Sequence, residues 1–451
     1  MVFIMRHKTQ DARFITRYLL PVTILCLASC VFLYLSTYAQ CYMLSVGHFP
    51  PSRDGRTFLL ITDLSGLGPA VEINFYDEAG LAAPIIRKLL PPDGKMRIGV
   101  ENYLQTAGTI VLKSSSEQIM GEYWQVQSDG TTFMLPLQSP VEGGRYFVNC
   151  LRFPSCRSSV LVLSDPYGSE PVMQMEFYDK SGELIKVAPK MLQSHGTSAF
   201  QVSDYAPWDM LGKVSIRSFR GSFSLHYRQF CNVVLAVPAR LPARELLVDG
   251  FSIGRRIESN LVITDVSAEG PSVKIRFLIN NVVVSEVEKL LPPSGTVLID
   301  PSDYIDPSDY AGDVASGIMQ ISSEAEIIAD YWEKSPRATI DTPAIDKAGS
   351  FLFISYLSPF DGAENLLSLL NVGQEPAKAE ICFYNNEGSK LGDEELVLKP
   401  YNQVDKPLSY YFDGSDSGTV IVKGASLVAT SRILDLKSKR LLGKVHAQVI
   451  R

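Results

Sequence analysis

One stretch of about twenty residues recurs along the chain, and this internal repeat constrains the fold more than any other feature. It first occurs at 59–80 as LLITDLSGLGPAVEINFYDEAG. The anchoring phenylalanines follow one another at intervals of 102, 100 and 106 residues: Phe75, Phe177, Phe277 and Phe383. Twelve positions before each phenylalanine lies a short polar residue: Asp63, Asp165, Asp265 and Asn371. A fixed period of this size predicts four copies of one module.

Each copy contains the pattern of a β-strand with one buried face. Val71, Ile73 and Phe75 alternate with Glu72, Asn74 and Tyr76, which is the period of two expected for a strand. Five residues after the phenylalanine, three copies have a glycine that suits a tight turn with positive φ, and the third has asparagine nearby: Gly80, Gly182, Asn280 and Gly388. The Asp or Asn that ends the preceding strand is expected to hydrogen-bond the backbone of the turn that follows.

The predicted fold class is all-β. It comprises four tandem β-sandwich modules of about 100 residues each, which follow an N-terminal hydrophobic segment. The predicted boundaries are 1–41 for the basic stub and hydrophobic segment, then 42–141, 142–242, 243–347 and 348–451 for the modules. Propeller blades would require a period of about 40 to 50 residues, so that architecture is not expected.

The N-terminus carries a signal for membrane targeting. Residues 1–17 have a net charge of +3, and residues 18–38 contain no charged side chain. This segment is long enough to span a bilayer, with the positive flank on the cytoplasmic side. Three outcomes remain open: an uncleaved anchor, a signal peptide cleaved after Thr37-Tyr38-Ala39, or a lipoprotein acylated at Cys30. All three predict an extracytoplasmic body, membrane-anchored or secreted, at the cell surface or in the periplasm.

The charge of the body argues against nucleic acid as a partner. The whole chain has a formal charge of −7, and because residues 1–40 carry +3, the remainder carries −10. The sequence contains no dense Lys/Arg stripe that would neutralise phosphates.

The cysteines indicate a disulfide more than a metal site. Cys150 and Cys156 are the main candidates for a bridge within the second module, and Cys150 with Cys231 is the rival pairing. Small buried thiols are the remaining alternative. No CxxC pair is present and the five histidines are scattered, so neither a metal site nor a cofactor is expected.

The closing strands supply the candidate binding residues. They read Glu122-Tyr123-Trp124 in the first module and Asp330-Tyr331-Trp332 in the third. Alternation places each tryptophan on the same face as the nearby carboxylate, an arrangement that suits a sugar ring and its hydroxyl groups. The alternative is that these aromatics belong to a core or cover a module junction. The sequence contains no GxSxG, HExxH or P-loop motif, so catalysis is not expected.

The motifs also resemble known modules. Each repeat has an apolar strand ending in Asn or Asp, a strand related to FYD-x-x-G, an LPP-x-G-like turn and a closing strand. Together these resemble tandem β-sandwich modules of secreted bacterial proteins and are similar to the bacterial sensory-rhodopsin transducer family. The resemblance implies an all-β module that acts by binding rather than catalysis, and it transfers no site residue. The fourth copy departs from the pattern because Tyr401-Asn402 follows Pro400.

Two classes of function fit these observations. The first is a non-catalytic extracytoplasmic repeat protein, a rod of four sandwiches that serves adhesion, spacing or assembly at the cell envelope. The alternative is a ligand-binding array for a glycan or peptide, with an envelope polysaccharide or protein as partner. A hydrolase with a dispersed active site is a distant third.

The charge asymmetry around residues 18–38 generates a topology prediction. Because the basic flank precedes the apolar span, we expect residues 42–451 to face away from the cytoplasm. Protease added to intact cells should therefore digest the body. Complete protection, with cleavage only after lysis, would contradict this orientation.

Overall fold

The computed structural model describes most of the chain after the N-terminal segment. The described residues are 42–449, apart from 52–54, 129–131, 140, 143–144, 150–157, 208–210, 231–233, 239–241, 255–256, 281, 307, 309–313, 336–337, 346–347, 358–361, 413–416 and 438–439. Within this part of the chain, none of the helices has the length and apolar character needed to cross a bilayer. The predicted span at 18–38 lies outside the described residues, as does Cys30.

The described residues form β-strands connected by turns and three short 3-10 helices, which confirms the predicted all-β class. The first module has β1 (Tyr42–His48), β2 (Arg56–Asp63), β3 (Ala70–Asp77), β4 (Ile86–Leu89), β5 (Lys95–Gly99), β6 (Gly108–Ser114), β7 (Ile119–Val126) and β8 (Thr132–Pro136). The second has β10 (Arg145–Asn149), β11 (Ser158–Ser164), β12 (Val172–Asp179), β13 (Leu184–Met191), β14 (Thr197–Gln201), β15 (Leu211–Arg220), β16 (Ser222–Phe230) and β17 (Val234–Pro238). Between them, β9 (Val141–Glu142) spans the predicted boundary and pairs with β16.

The third and fourth modules repeat this set with one change. The third has β18 (Ala243–Gly254), β19 (Glu258–Asp265), β20 (Ser272–Ile279), β21 (Val282–Leu290), β22 (Thr296–Ile299), β23 (Val314–Ser335) and β24 (Ala338–Pro343). The fourth has β25 (Gly349–Leu357), β26 (Ala363–Asn371), β27 (Ala377–Tyr384), β28 (Lys390–Leu398), β29 (Gln403–Pro407), β30 (Ser417–Asp435), β31 (Arg440–His446) and β32 (Gln448–Val449). In each, one long strand, β23 or β30, replaces the separate sixth and seventh strands and so belongs to both sheets.

Each module is a sandwich of two antiparallel sheets. In the first module the strand orders are β1-β6-β3-β4 and β5-β2-β7-β8, and the second module repeats them as β10-β15-β12-β13 and β14-β11-β16-β17. Apolar residues of both sheets meet in one core per module. The four anchoring phenylalanines are all fully buried. Each one stacks on a tyrosine that follows the fifth strand of its module by a few residues: Phe75 on Tyr103, Phe177 on Tyr205, Phe277 on Tyr304 and Phe383 on Tyr411.

The repeated Asp connects two turns of its own module, as the sequence predicts for the nearer turn. The Asp63 carboxylate accepts hydrogen bonds from the backbone N–H groups of Ser65 (2.8 Å) and Gly68 (2.9 Å), which follow β2. It also accepts one from the N–H of Asp93 (3.2 Å) in the LPP-x-G turn, thirty residues later. Asp165 and Asp265 make the equivalent bonds in their modules. The LPP-x-G turn is thereby fixed relative to the strand that ends at the Asp.

The turns of neighbouring modules interlock. Gly80, in the FYD-x-x-G turn of module 1, has φ of 82°, and a Cβ there would lie 1.9 Å from the Ser194 carbonyl oxygen of module 2. In return, the Thr197 N–H of module 2 donates to the Glu78 carbonyl of module 1 (3.1 Å). The same interlock joins module 2 to module 3 through Thr296 N–H and Lys180 O (2.8 Å), and module 4 to module 1 through Lys95 N–H and Asn386 O (2.7 Å).

The contact between module 4 and module 1 closes the four modules into a ring. Around the centre, the strand that pairs with each closing strand contacts its counterpart in the next module, in the cyclic order β8, β17, β24, β31 and back to β8. The four sandwiches therefore form a ring rather than the rod expected from the sequence. The turn that follows the Phe in one module fits the LPP-x-G turn of the next, and the fourth turn fits the first module.

The glycine of the interlock generates a stability prediction. Gly388 has φ of 82°, and a Cβ there would lie 1.9 Å from the Pro92 carbonyl oxygen of module 1. We expect Gly388→Ala to lower the free energy of unfolding by about 2–4 kcal/mol, because the turn must shift away from the backbone of module 1. Urea unfolding monitored by tyrosine and tryptophan fluorescence measures the loss.

Gly362→Ala is the matched control for this substitution. Gly362 also has a positive φ, 90°, but nothing lies within 4 Å of the added Cβ. It should therefore cost only about 1 kcal/mol, the penalty of the left-handed backbone. Equal losses for the two variants would contradict the interlock.

Candidate functional site

The four predicted binding residues lie in the interior of the protein. Trp124 is fully buried at the junction of modules 4 and 1, where it packs with Phe58, Ala363, Ile433 and Val445. Its indole N–H donates to the Glu122 carboxylate (3.1 Å), which also accepts from the Gln448 side chain of module 4 (3.3 Å). Protein atoms therefore cover the ring face that a sugar would need.

Asp330 and Trp332 are buried in the same way. The Asn149 side chain, which belongs to module 2, donates to the Asp330 carboxylate (2.5 Å) and accepts from the Thr264 hydroxyl (2.7 Å). These contacts join modules 2 and 3. Alternation correctly places each tryptophan and carboxylate on one face, but that face is a module junction rather than an exposed binding surface.

The junction of modules 1 and 2 contains a buried arginine with no carboxylate partner among the described residues. Arg228 donates to His226 Nε2 (3.0 Å), the Gln125 side-chain oxygen (3.2 Å) and the Phe49 carbonyl (3.3 Å). Its guanidinium also lies over the ring of Phe133, 5.1 Å from the centroid. Neutral acceptors and aromatic faces thus replace an acidic counter-ion.

Burial next to this cation keeps the neighbouring histidines neutral. Burial, assisted by the charge of Arg228, lowers the pKa of His48 to about 3 and lowers the pKa of His226 well below its usual value. His48 Nδ1 lies 2.8 Å from the Tyr123 hydroxyl. Neutral imidazoles can accept hydrogen bonds from Arg228, so the cluster is held together by hydrogen bonds rather than by ion pairs.

The junction of modules 3 and 4 differs because it contains an open cavity. The fourth module has Tyr401-Asn402 where the first has Asp93-Gly94 in its LPP-x-G turn. The third module has a shorter turn at Asn280 than the FYD-x-x-G turn of the first. In the other modules, the backbone N–H of Lys95, Thr197 or Thr296 donates to the turn of the neighbouring module. Among the described residues, the equivalent N–H of Gln403 makes no such hydrogen bond to the turn at Asn280. A cavity of about 310 Å³ lies there instead, and we refer to it as the junction cavity.

Charged groups of both signs line the junction cavity. Asp249 of module 3 pairs with Lys444 of module 4 (2.7 Å), and both side chains are more than nine-tenths buried. Thr430 also donates to Asp249. Within module 4, Asp405 pairs with Arg432 and accepts a hydrogen bond from the Ser368 hydroxyl (2.6 Å). Burial raises the pKa of Asp405, but the hydrogen bonds from Ser368, Gln403 and Arg432 outweigh it and leave that pKa below its usual value.

Glu333 is the third carboxylate of the cavity, and it has a different environment. The Tyr331 hydroxyl lies 3.1 Å from Glu333 and also lies within hydrogen-bonding distance of the Ser252 backbone. No cation within ion-pair distance of Glu333 is found among the described residues. Burial raises its pKa, and hydrogen bonds from the Ser252 and Tyr331 side chains, with the more distant charges of Lys444 and Arg432, oppose this only in part.

The remaining predictions concern cysteines and metals. Cys150 and Cys156 lie outside the described residues, as does Cys231. Cys382 is a buried free thiol. In the part of the chain that the structure describes, no group of three or more His, Cys, Asp or Glu side chains could hold a metal ion.

The outer rim carries a feature that the sequence analysis missed. One edge strand of each module pairs only with the strand that carries the anchoring phenylalanine; these outer edge strands are β4, β13, β21 and β28. Each carries, at its last position or in β28 its last but one, an apolar residue that is 68–75% exposed and directly precedes a buried leucine: Leu89, Met191, Leu290 and Val397. The sequence shows two consecutive apolar residues before each turn, but a pair of this kind is ordinarily interpreted as part of the core.

Comparison of the chain with protein-family models gave no match, and comparison with curated protein sequences gave none either. The site assignments therefore depend on the geometry described above.

Two buried lysines also connect modules. Lys95 Nζ donates to the Ser355 hydroxyl (2.7 Å) and the Gly418 carbonyl (2.5 Å) of module 4. Lys213 Nζ of module 2 donates to the Asp265 carbonyl of module 3 (2.6 Å). Burial lowers the pKa of each lysine to about 8, although nearby carboxylates, Glu122 for Lys95 and Asp265 for Lys213, act in the opposite direction.

The lowered pKa of Lys95 predicts how stability depends on pH. The unfolded chain keeps this proton up to the ordinary value of 10.5, whereas the folded protein releases it near 8. Between these values the unfolded state binds more protons, so this lysine makes stability rise with pH. Relative to Lys95→Met, the wild type should gain up to about 3 kcal/mol of unfolding free energy between pH 7 and 10.5.

The two proteins share all their other titrating groups, so the difference between their urea midpoints isolates this lysine. Exposed Lys88→Met is the control, and it should follow the wild type at every pH. Parallel curves for Lys95→Met and the wild type would contradict the lowered pKa.

Proposed function

We propose that this chain is a non-catalytic scaffold that assembles with further copies of itself at the cell envelope, outside the cytoplasm. The hydrophobic segment at 18–38 provides its attachment or export. The observation that supports assembly most directly is the recurrence of an exposed apolar residue at one position of all four outer edge strands. An isolated exposed leucine needs no explanation, whereas four equivalent ones on unpaired sheet edges mark an interaction surface.

The charges of the outer edge strands favour a second copy as the partner. β4 (IRKL) and β13 (LIKVAPKM) carry basic residues and no acidic ones. β21 (VVVSEVEKL) and β28 (KLGDEELVL) carry more acidic than basic residues. In the cyclic order, module 1 lies opposite module 3 and module 2 lies opposite module 4. Each ring therefore presents a basic edge opposite an acidic edge.

This arrangement favours head-to-tail association. A basic edge of one ring complements an acidic edge of the next, and such a heterologous contact leaves a free edge at each end for further copies. The ladder groups of an edge strand add backbone hydrogen bonds to the apolar and charged contacts. Pro189 interrupts β13, so we expect the pairing of module 1 with module 3 to be the stronger one.

Glycan binding through Trp124 and Trp332 receives less support, because both indoles are buried. A hydrolytic function has no support from an identified constellation of residues. The junction cavity favours a separate ligand-binding role.

Site-specific photo-cross-linking in cells tests the assembly. Benzoylphenylalanine in place of Leu89 should cross-link to β21 of another copy, as peptide mapping by mass spectrometry would show. The control replaces Leu67, which is 83% exposed but lies in a loop outside the outer edge strands. Glu288→Lys should reduce the cross-link severalfold, and adding Lys88→Glu should restore it, because the swapped charges again attract. An absence of intermolecular products from position 89 would overturn the proposal.

A further inference from the structure

At the junction cavity, the described residues lack the interlock that joins the modules at the other three junctions. Three junctions are closed by a glycine in one turn and a backbone hydrogen bond from the other. At the fourth junction, Tyr401 and Asn280 both have positive φ and both line the cavity. The volume of about 310 Å³ would hold roughly ten water molecules, or an organic ligand with a similar number of non-hydrogen atoms.

The charges around the cavity balance except at one residue. Asp249 is paired with Lys444, and Asp405 is paired with Arg432. Glu333 lines the same space, and among the described residues it has the Tyr331 and Ser252 hydroxyls but no cation within bonding distance. With every group ionised, the five charges sum to −1, and the excess lies at Glu333. A partly buried carboxylate without a counter-ion is destabilised, so a ligand that supplied the positive charge would be bound favourably.

We propose that the junction cavity binds a small organic amine, with its ammonium group on Glu333. Glu333 Oε2 and the Tyr331 hydroxyl present oxygen atoms to the ammonium. On the module 3 side, the nearly fully buried Phe251, Leu278 and Ile318 provide an apolar wall for the carbon chain. The Ser368 hydroxyl and the amides of Asn402 and Gln403 lie on the module 4 side and can bind a polar group at the far end.

Other small ligands complement the cavity less well. A carboxylate anion would add to the existing negative excess. A neutral polyol could use the hydroxyl and amide groups but would leave Glu333 without a counter-ion. A zwitterion could place its carboxylate near the buried Nε of Arg432, for which the described residues provide no acceptor. The ammonium is the group that the net negative charge of the lining and the position of Glu333 favour.

Isothermal titration calorimetry on the full-length protein, with a matched series of four-carbon probes, tests this site. The probes are 4-amino-1-butanol, 1,4-butanediol and 4-aminobutanoate. We expect the amino alcohol to bind, the neutral diol to bind at least about tenfold more weakly, and the zwitterion to bind no more tightly than the amino alcohol. Equal binding of the diol, tighter binding of the zwitterion, or no binding of the amino alcohol at millimolar concentration would overturn the proposal.

Two variants locate the binding in the cavity. Glu333→Gln keeps the shape of the side chain and should weaken the amino alcohol about tenfold or more. The control Glu326→Gln removes the same charge from an exposed position of module 3 outside the cavity and should change nothing. Ser316→Trp tests the same space without altering Glu333, because Ser316 is an exposed lining residue and the indole would obstruct the cavity.

The outcomes of these variants are separate from those of the assembly test. The cavity lies between modules 3 and 4, and the outer edge strands lie at the rim, so one proposal can fail while the other holds. Circular dichroism checks that each variant keeps its β-structure. Unchanged binding in both Glu333→Gln and Ser316→Trp would overturn the assignment of the ligand to this cavity.

Discussion

The ring depends on one buried carboxylate in each of the first three modules. Asp63, Asp165 and Asp265 have almost no exposed surface, and backbone N–H groups from two turns satisfy each of them. Hydrogen bonds to an ionised acceptor are about twice as strong as neutral ones, and removing them would strand a buried charge. The second of these turns is the one that docks on the preceding module. A local capping interaction therefore also sets the geometry between modules.

The fourth module shows what changes when this residue is an amide. Asn371 accepts one hydrogen bond, from Gly373 N–H, and its Nδ2 group donates to the carbonyl oxygens of Glu375, Leu398 and Lys399. An amide nitrogen needs acceptors where a carboxylate needs donors, so the following turn is held through its carbonyl groups. Tyr401 occupies the position of Asp93, and the interlock with module 3 is absent from the described residues. The replacement of Asp by Asn371 and the junction cavity are thus both associated with the turn of module 4 that contains Tyr401.

The sequence predicts the modules better than it predicts their assembly. Periodicity and turn residues are local, so the repeated Phe, the Asp that caps the turn and the glycines with positive φ are all found where expected. The ring is not predictable in this way, because Asn386 and Lys95 are almost three hundred residues apart and neither has a distinctive signature. Alternation places Trp124 on the correct face of β7, but it does not reveal that module 4 covers that face. Glu333 and Arg432 are likewise ordinary charged residues until two modules bring them together.

The positions that vary between modules explain how identical cores find the correct neighbours. Glu122, His226, Asp330 and Thr430 are equivalent in the repeat and all buried at junctions, yet each has a different partner. Glu122 meets Gln448, Asp330 meets Asn149, and Thr430 meets Asp249, while His226 meets Arg228 of its own strand beside module 1. The cores and the recurring turns do not by themselves determine which module follows which. A module in the wrong place would, however, leave a buried carboxylate such as Asp249 or Asp330 without its partner, and such a loss typically costs several kcal/mol. Variation at these positions therefore specifies the order of the ring, just as the recurring turns specify its geometry.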